Sequence, residues 1–196
     1  MAKSKYNLNV FKASLKNFVS KRKEKFNIIT AFEVLEHQDK PLNFLNDVYT
    51  LLEKEGFFCG SVPNRNRIFV EIHRKINNFD YPPHHFLYFN KESLKNALIN
   101  IGFKEIEIIP TSTSLGDFLK YLSPSLFYLI FRDRYFLLKR YFKTSKKSSY
   151  DNNFNGSNIR INIFQILRNY AVFPLALILY PLYKIKGHAL FFCAKK

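Results

Sequence analysis

In the first half of the chain, short apolar runs alternate with segments in which apolar residues recur every three or four positions. Compact apolar runs are typical of strands in a parallel sheet, and the wider spacing is typical of amphipathic helices. One predicted helix begins at Pro41 and ends at Gly56, and another is capped by Asn90 and ends at Gly102. The predicted strands are residues 8–11, 26–31, 57–62, 104–109 and 188–194. This alternation predicts an α/β open sheet.

A longer apolar and aromatic region separates the last of these strands from the others. Its predicted helices are residues 115–122, 126–142 and 161–183, with a polar linker at 144–158. The predicted domains are therefore an α/β core at 1–109, a helical insertion at 110–186 and a terminal strand of the core at 187–196. Basic residues lie beside the apolar faces of the insertion. It either lies on a membrane, covers a hydrophobic substrate, or packs on the sheet with its charges in water.

The charge of the chain changes the choice of partners. Its 31 basic and 15 acidic residues give a net charge of +16, which suits an anionic partner such as a membrane surface or nucleic acid. Residues 110–196 carry 14 basic and 3 acidic residues, a net charge of +11. A genome rich in AT codons would also enrich Lys together with Asn, Ile, Phe and Tyr. No nucleic-acid recognition motif accompanies the charge, so we rank that partner last.

The location of the protein can be predicted from cysteines and apolar stretches. Cys59 and Cys193 lie far apart in apolar runs, which predicts two buried free thiols in a reducing compartment. The basic N-terminus has no long apolar core of the kind found in secretory signals. The longest apolar stretch, residues 171–183, is interrupted by Pro174 and Pro181 and falls short of the roughly 20 residues that span a bilayer. We therefore expect a cytoplasmic protein.

A series of ordered motifs resembles a known family. FNIITAFEVLEH at residues 26–37 is followed by a helix ending in Lys-x-x-Gly, a strand ending in Val-Pro-Asn, a Pro-Pro-His-His loop and a helix ending in Ile-Gly-Phe. In this order they resemble the C-terminal part of class I S-adenosylmethionine-dependent methyltransferases, and most closely the small-molecule group that includes ubiquinone-biosynthesis O-methyltransferases. The resemblance implies a Rossmann-like doubly wound sheet and methyl transfer from S-adenosylmethionine to a small-molecule acceptor, for which a lipidic molecule would fit the insertion.

The sequence lacks the glycine-rich cofactor loop of this family. The six glycines, at 56, 60, 102, 116, 156 and 187, include no G-x-G spacing, and residues 8–11 correspond to the family's third strand. The first two family strands are therefore missing, and residues 26–31 should form a bare apolar edge of the sheet. The chain is either a fragment of a longer product, or another polypeptide supplies the missing N-terminal half.

The resemblance also implies cofactor contacts. Ala31, Phe32 and Glu33 follow a strand and would line the cofactor pocket, since open α/β sheets bind ligands at the carboxyl ends of their strands. Ser14 and Leu15 would lie near the adenine, with Ser14 in place of the family's usual acidic residue. An ordinary turn at Ser14 is the alternative.

Three residues of the EVLEH motif form a candidate metal site. Glu33, Glu36 and His37 have the i, i+3, i+4 spacing that brings side chains to one side of a helical turn. Carboxylate oxygens suit Mg²⁺, and the resembling ubiquinone O-methyltransferases are thought to use this motif in that way. The alternative is that Glu36 and His37 cap and orient the following helix.

His84 and His85 in the Pro-Pro-His-His loop are the candidate catalytic residues. In the resembling family this loop closes over the substrate, and imidazole titrates near neutral pH, so one histidine could act as a general base on an acceptor hydroxyl. The alternative is that both order the loop through backbone hydrogen bonds.

A second function competes with catalysis. The chain could be a non-catalytic remnant or subunit that associates peripherally with anionic membranes through residues 115–183, where apolar and basic residues are concentrated. Arg65, Arg67, Arg74 and Lys75 follow the strand at 57–62 and could meet an acidic substrate or a lipid headgroup, although loop charges are more commonly solvated.

Overall fold

The computed structural model describes residues 9–21, 24–76, 81–132, 134 and 157–196, with side chains in the last range from residue 169 onward. Four strands and six helices are found in these ranges. The strands are β1 (Phe26–Phe32), β2 (Leu52–Pro63), β3 (Lys104–Thr111) and β4 (Ala189–Lys195). The helices are α1 (Leu15–Lys21), α2 (Pro41–Leu51), α3 (Val70–Ile76), α4 (Lys91–Ile101), α5 (Leu115–Phe131) and α6 (Ser157–Lys186), and Leu35–His37 forms a 3-10 turn.

The strands form one sheet in the order β1-β2-β4-β3. β1 runs parallel to β2, with Ile29 opposite Phe58 and Ala31 opposite Gly60. The terminal strand β4 lies between β2 and β3, which is possible only if the chain crosses back after the helical region. The predicted α/β sheet with a helical insertion before its last strand is confirmed.

Most predicted boundaries agree with the structure, but the end of α2 does not. Gly56 was expected to end this helix, whereas α2 ends at Leu51 and β2 begins at the next residue. The left-handed backbone near this point belongs to Glu55, with a φ of 65°. Asn90 and Gly102 bound α4 as predicted: the Asn90 side chain accepts from Ser93 N, and Gly102 has a φ of 110°.

The first hydrophobic core lies on the sheet. Its fully buried side chains come from β2, β4, α2, α4 and the 3-10 turn, and aromatic contacts such as Phe58 against Phe192, with ring centroids 5.0 Å apart, lie among them. The largest of them are Phe58, Phe192, Leu35, Leu45, Leu52, Leu94 and Leu98. Because α2 and α4 each pack one apolar face on this core, their apolar residues recur every three or four positions, and this spacing predicted both helices.

β1 is far more exposed than its apolar sequence predicts for a strand covered on both faces. Only Ala31 is buried, and Ile28 and Phe32 are 63% and 56% exposed. The reason is that β1 is the end strand of the sheet in the part of the chain that the structure describes. The outer edge of β1 thus has no strand partner within the described residues. Residues 9–11 are not in a strand, contrary to the strand predicted at 8–11, of which residue 8 lies outside the described ranges.

The chain divides into two compact units. The first contains residues 1–63, 86–109 and 190–196, and the second contains residues 64–85 and 110–189. In the second unit, α5 and α6 pack around Phe118, Tyr121, Leu122, Ala176 and Tyr183. α5 is one helix with Pro124 inside it, where two helices were predicted. The predictions for residues 133, 135–142 and 144–156 lie outside the described residues.

The cysteine prediction is wrong. Cys59 and Cys193 are joined in a disulfide, with their Cα atoms 4.2 Å apart. They lie on β2 and β4, which are neighbours in the sheet although 134 residues separate them in the chain. In the stretches that the structure describes, no helix has the length and apolar character needed to cross a membrane.

Candidate active site

The carboxyl end of β1 places three predicted cofactor residues next to β2. Ala31 is buried opposite Gly60, where a Cβ would come within 2.1 Å of the Ala31 carbonyl oxygen. Phe32 is exposed and its ring stacks on Phe191, with centroids 6.5 Å apart. The missing side chain at Gly60 thus lets the two strands approach closely at the point where the predicted pocket begins.

Glu33 is fixed by β2 as the chain leaves β1. Its backbone is left-handed, with a φ of 52°, and its N–H donates to the Ser61 carbonyl oxygen at 2.9 Å. The Ser61 hydroxyl donates to Glu33 Oε1 at 2.8 Å. The exposed carboxylate of Glu33 is therefore held in place by Ser61.

Glu36 is buried in the 3-10 turn that follows. Its side chain is fully inaccessible, and neither carboxylate oxygen has a hydrogen-bond partner among the residues that the structure describes. Burial raises the pKa of Glu36 to about 7, and the charge of Glu33 adds to this rise, while its own backbone hydrogen bond and the nearby His37 oppose it. His37 Nε2 lies 3.7 Å from Glu36 Oε1. At neutral pH this carboxyl group is thus divided between its neutral and charged forms.

The backbone of the same residue anchors the chain that follows the histidine loop. The Glu36 carbonyl oxygen accepts from Phe86 N at 2.9 Å and from Leu87 N at 3.2 Å. The alternative role predicted for Glu36 and His37, capping α2, is wrong. The cap of α2 is Lys40, with no side-chain hydrogen bond, and Pro41 occupies the first turn.

His84 and His85 lie in a tight turn after the Pro82–Pro83 pair. The Tyr81 carbonyl oxygen accepts from His84 N at 2.9 Å and from His85 N at 3.4 Å. The His84 side chain is exposed and that of His85 is half-buried. Both backbones therefore order the turn, while both imidazoles remain accessible, so the structure is compatible with either predicted role.

The three candidate metal ligands are not equivalent. Glu36 and His37 belong to a group of side chains whose ligand atoms lie within 4.8 Å of one another, and Glu33 does not belong to it. The buried, unsatisfied carboxylate of Glu36 is the kind of group that a cation would satisfy. Because Glu33 lies outside this group, the three predicted ligands do not come together, and these predicted residues fit Mg²⁺ only in part.

Ser14 and Leu15 begin α1 on the open side of β1. Ser14 Oγ accepts from Asn17 N at 3.3 Å. This local hydrogen bond agrees with the ordinary turn that was the alternative to an adenine contact. Leu15 lines an apolar groove of about 450 Å³. The other lining residues are Phe11, Ala13, Phe18, Phe26, Ile28, Ile29 and Leu51. Ala31, Phe32 and Glu33 are not among them, so the groove holds one part of the predicted cofactor set without the other.

Two buried polar residues follow β2. Asn64 is buried, and its amide nitrogen donates to the carbonyl oxygens of Lys186 and Gly187 at 2.6 and 3.3 Å. Arg67 was expected to be solvated, but it is 4% exposed and its Nη1 donates to the Asn64 carbonyl oxygen at 3.1 Å. The Val-Pro-Asn ending of the strand is the sequence signal that draws attention to Asn64. It does not indicate the hydrogen-bond partner of Asn64, which lies 122 residues away in the chain.

Comparison with known proteins agrees with this fold. A family model described as a methyltransferase domain matches residues 3–108, which is more than half of the chain. No curated protein matches the sequence.

Solved methyltransferase structures are similar at low sequence identity. A SAM-dependent methyltransferase from Archaeoglobus fulgidus has a TM-score of 0.53 and 14% identity, over 98% of this chain and 69% of that one. A possible histamine N-methyltransferase from Thermotoga maritima has a TM-score of 0.41 and 20% identity, over 46% of this chain and 44% of that one. Phosphoethanolamine N-methyltransferase 2 from Haemonchus contortus has a TM-score of 0.44 and 12% identity, over 91% of this chain and 35% of that one. The chain thus spans less than half of the last two proteins. Taken with the family match, the sheet places this chain in the methyltransferase-domain family, with the fold of class I S-adenosylmethionine-dependent methyltransferases.

Proposed function

We propose that this domain takes part in methyl transfer from S-adenosylmethionine to a small-molecule acceptor, with the cofactor against the carboxyl end of β1. The observation that carries this proposal is the arrangement of Ala31, Phe32 and Glu33. Gly60 allows close backbone approach beside Ala31, Phe32 is an exposed ring, and Ser61 orients the Glu33 carboxylate. An aromatic face and a carboxylate suit a ligand that carries an adenine, a ribose and a positive charge.

The residues present fit one side of the cofactor. The cofactor supplies an electrophilic methyl group on a sulfonium. No G-x-G turn occurs in the sequence to hold its other side, and the outer edge of β1 has no strand partner in the described ranges. We propose that a polypeptide segment with a glycine-rich turn supplies that side, and that this chain alone binds the cofactor weakly.

The histidine loop is the proposed source of a general base. An accessible imidazole at His84 or His85 can accept a proton from an acceptor hydroxyl, provided that the hydroxyl lies within hydrogen-bond distance. The remaining histidine then has the structural role of holding the turn. We propose no step for Mg²⁺, since Glu33 does not lie with Glu36 and His37.

The experiment compares cofactor binding by the recombinant chain with binding by the tagged protein purified from its natural host. Equilibrium dialysis with radiolabelled S-adenosylmethionine should show saturable binding in the native preparation and much weaker binding by the chain alone. Glu33→Gln in the native preparation should weaken binding roughly tenfold, as expected for one lost hydrogen bond to a charged group. The matched control is Glu107→Gln, at an exposed glutamate on β3.

Two results would contradict the proposal. Absence of saturable binding in both preparations would remove the cofactor from the proposed function. Equal loss in the Glu33 and Glu107 variants would move the cofactor away from the end of β1.

A further inference from the structure

The last turns of α6 expose a row of large aliphatic side chains. Leu175, Ile178, Leu182 and Ile185 are separated by three, four and three residues, so they lie on one face of the helix. Ile178 and Ile185 are 73% and 72% exposed, and Leu182 is 46% exposed. We call these four residues the α6 apolar stripe.

The stripe is distinct from the face that α6 buries. Ala176 and Tyr183 are 0% and 1% exposed and pack against Phe118 and Leu122 of α5. α6 is therefore apolar on two faces, one covered within its own unit and the other open to solvent. Tyr170, Phe173 and Leu177 extend the exposed apolar surface along the helix, at 74%, 40% and 50%. An exposed contiguous apolar surface of this kind marks an interaction site.

Charge indicates which partner suits the stripe. The 30-residue sequence of α6 contains no Asp or Glu. Its last turn places Lys184 and Lys186 on either side of Ile185, and both lysines are exposed. Residues 110–196 have a net charge of +11. A partner that satisfies this face must offer an apolar layer next to negative charge, which an anionic lipid surface does.

The shape of the apolar segment favours lying in the surface over crossing it. Pro174 and Pro181 interrupt the apolar sequence of α6, and none of the described helices qualifies as a membrane span. A helix that lies in the interface buries one apolar face and keeps its basic residues at the headgroups.

We propose that the α6 apolar stripe, with Lys184 and Lys186, docks this protein on the surface of an anionic lipid bilayer. This surface belongs to the second unit and does not depend on the proposed methyl transfer. The full chain should co-sediment with phosphatidylcholine vesicles that contain phosphatidylglycerol and stay in solution with phosphatidylcholine alone. Raising the salt from about 50 mM to about 500 mM should weaken binding, because the shorter Debye length screens the attraction between the lysines and the anionic headgroups.

Two sets of variants separate the apolar and the electrostatic contributions. Ile178→Glu with Ile185→Glu should weaken vesicle binding by at least roughly tenfold, since two aliphatic side chains no longer enter the interface. Lys184→Gln and Lys186→Gln should each weaken it about fivefold at low salt. The control is Ile99→Glu, which places one glutamate, against two in the stripe variant, at a 49% exposed isoleucine of α4 and should leave binding unchanged.

The proposal is overturned if vesicles with and without phosphatidylglycerol bind equally, or if the Ile178/Ile185 variant binds as well as Ile99→Glu. It is also overturned if light scattering finds a dimer that the Ile178/Ile185 variant dissociates while vesicles bind neither form, since a second copy then covers the stripe. Circular dichroism checks folding. If the isoleucine variant is unfolded, the two lysine variants provide the test. Weaker binding than the wild type at low salt supports the proposal, and binding equal to the wild type at low salt overturns it.

Discussion

At the residue scale, Glu36 is the group whose environment differs most from what its sequence position indicates. The EVLEH motif predicted a carboxylate that binds a cation or caps a helix. The structure instead buries both carboxylate oxygens with no hydrogen-bond partner in the described part of the chain, and burial raises the pKa to about 7. Burial of this kind depends on the elements around the 3-10 turn, so spacing alone could not predict it.

Replacement of this carboxyl should change the pH dependence of stability. A folded pKa of about 7 against an ordinary 4.5 means that the neutral form stabilises the fold below pH 4.5, and that this stability is lost as the pH rises through about 7. Between pH 5 and pH 8 the wild-type protein should therefore lose about 2 kcal/mol more unfolding free energy than Glu36→Gln. Urea denaturation at both pH values measures the difference.

The control for this experiment is Glu107→Gln, which removes an exposed carboxylate on β3. It gives the baseline change that follows from loss of one surface charge. Parallel pH profiles for wild type and Glu36→Gln would show that Glu36 does not titrate in this range.

At the scale of elements, the close approach of β1 to β2 is tightest at Gly60. A Cβ at Gly60 would come within 2.1 Å of the Ala31 carbonyl oxygen and 2.9 Å of the Phe192 ring. Neither the β1 backbone nor a fully buried ring can move away at low cost. Gly60→Ala should therefore destabilise the protein by about 2–3 kcal/mol.

The midpoint of urea denaturation measures this effect against Gly116→Ala. Gly116 lies in the first turn of α5, and a Cβ there would have its nearest neighbour at 3.8 Å, an ordinary contact. That variant should be neutral or stabilised by about 0.5 kcal/mol, since alanine favours helices more than glycine does. Equal stability of both variants would mean that β1 does not approach β2 as closely as described.

Element positions were largely predictable, and their ends were predictable where a local signal exists. Asn90 and Gly102 bound α4 through a side-chain cap and a left-handed glycine, both of which act within a few residues. The end of α2 was not predictable from Gly56, because Leu52 is already in the sheet and its pairing depends on β1. Capping residues thus determined both ends of α4, whereas strand pairing determined the end of α2.

At the scale of the whole molecule, the exposed edge strand should govern self-association. Ile28 is 63% exposed on β1, whose outer edge lacks a strand partner in the described ranges. A lysine on such an edge discourages pairing with a second chain. Ile28→Lys should therefore lower concentration-dependent association, seen by sedimentation velocity, while changing unfolding free energy by less than about 0.5 kcal/mol.

Ile99→Lys is the matched control, because it places the same charge on α4 at a 49% exposed isoleucine outside the sheet. It should leave the association as it is in the wild type. If both variants associate like the wild type, contacts other than the β1 edge cause the association.

The sequence by itself determined the alternation of strands and helices, the insertion before the last strand and the lack of a G-x-G turn. These properties follow from side-chain type and spacing along neighbouring residues. Only the tertiary structure decided that Cys59 meets Cys193, that Arg67 is buried and that the buried Glu36 carboxylate has no hydrogen-bond partner among the described residues. Each of these depends on which distant segments become neighbours when the sheet adopts the order β1-β2-β4-β3. Burial, pairing and pKa are properties of those neighbours, so they arise only when the chain has folded.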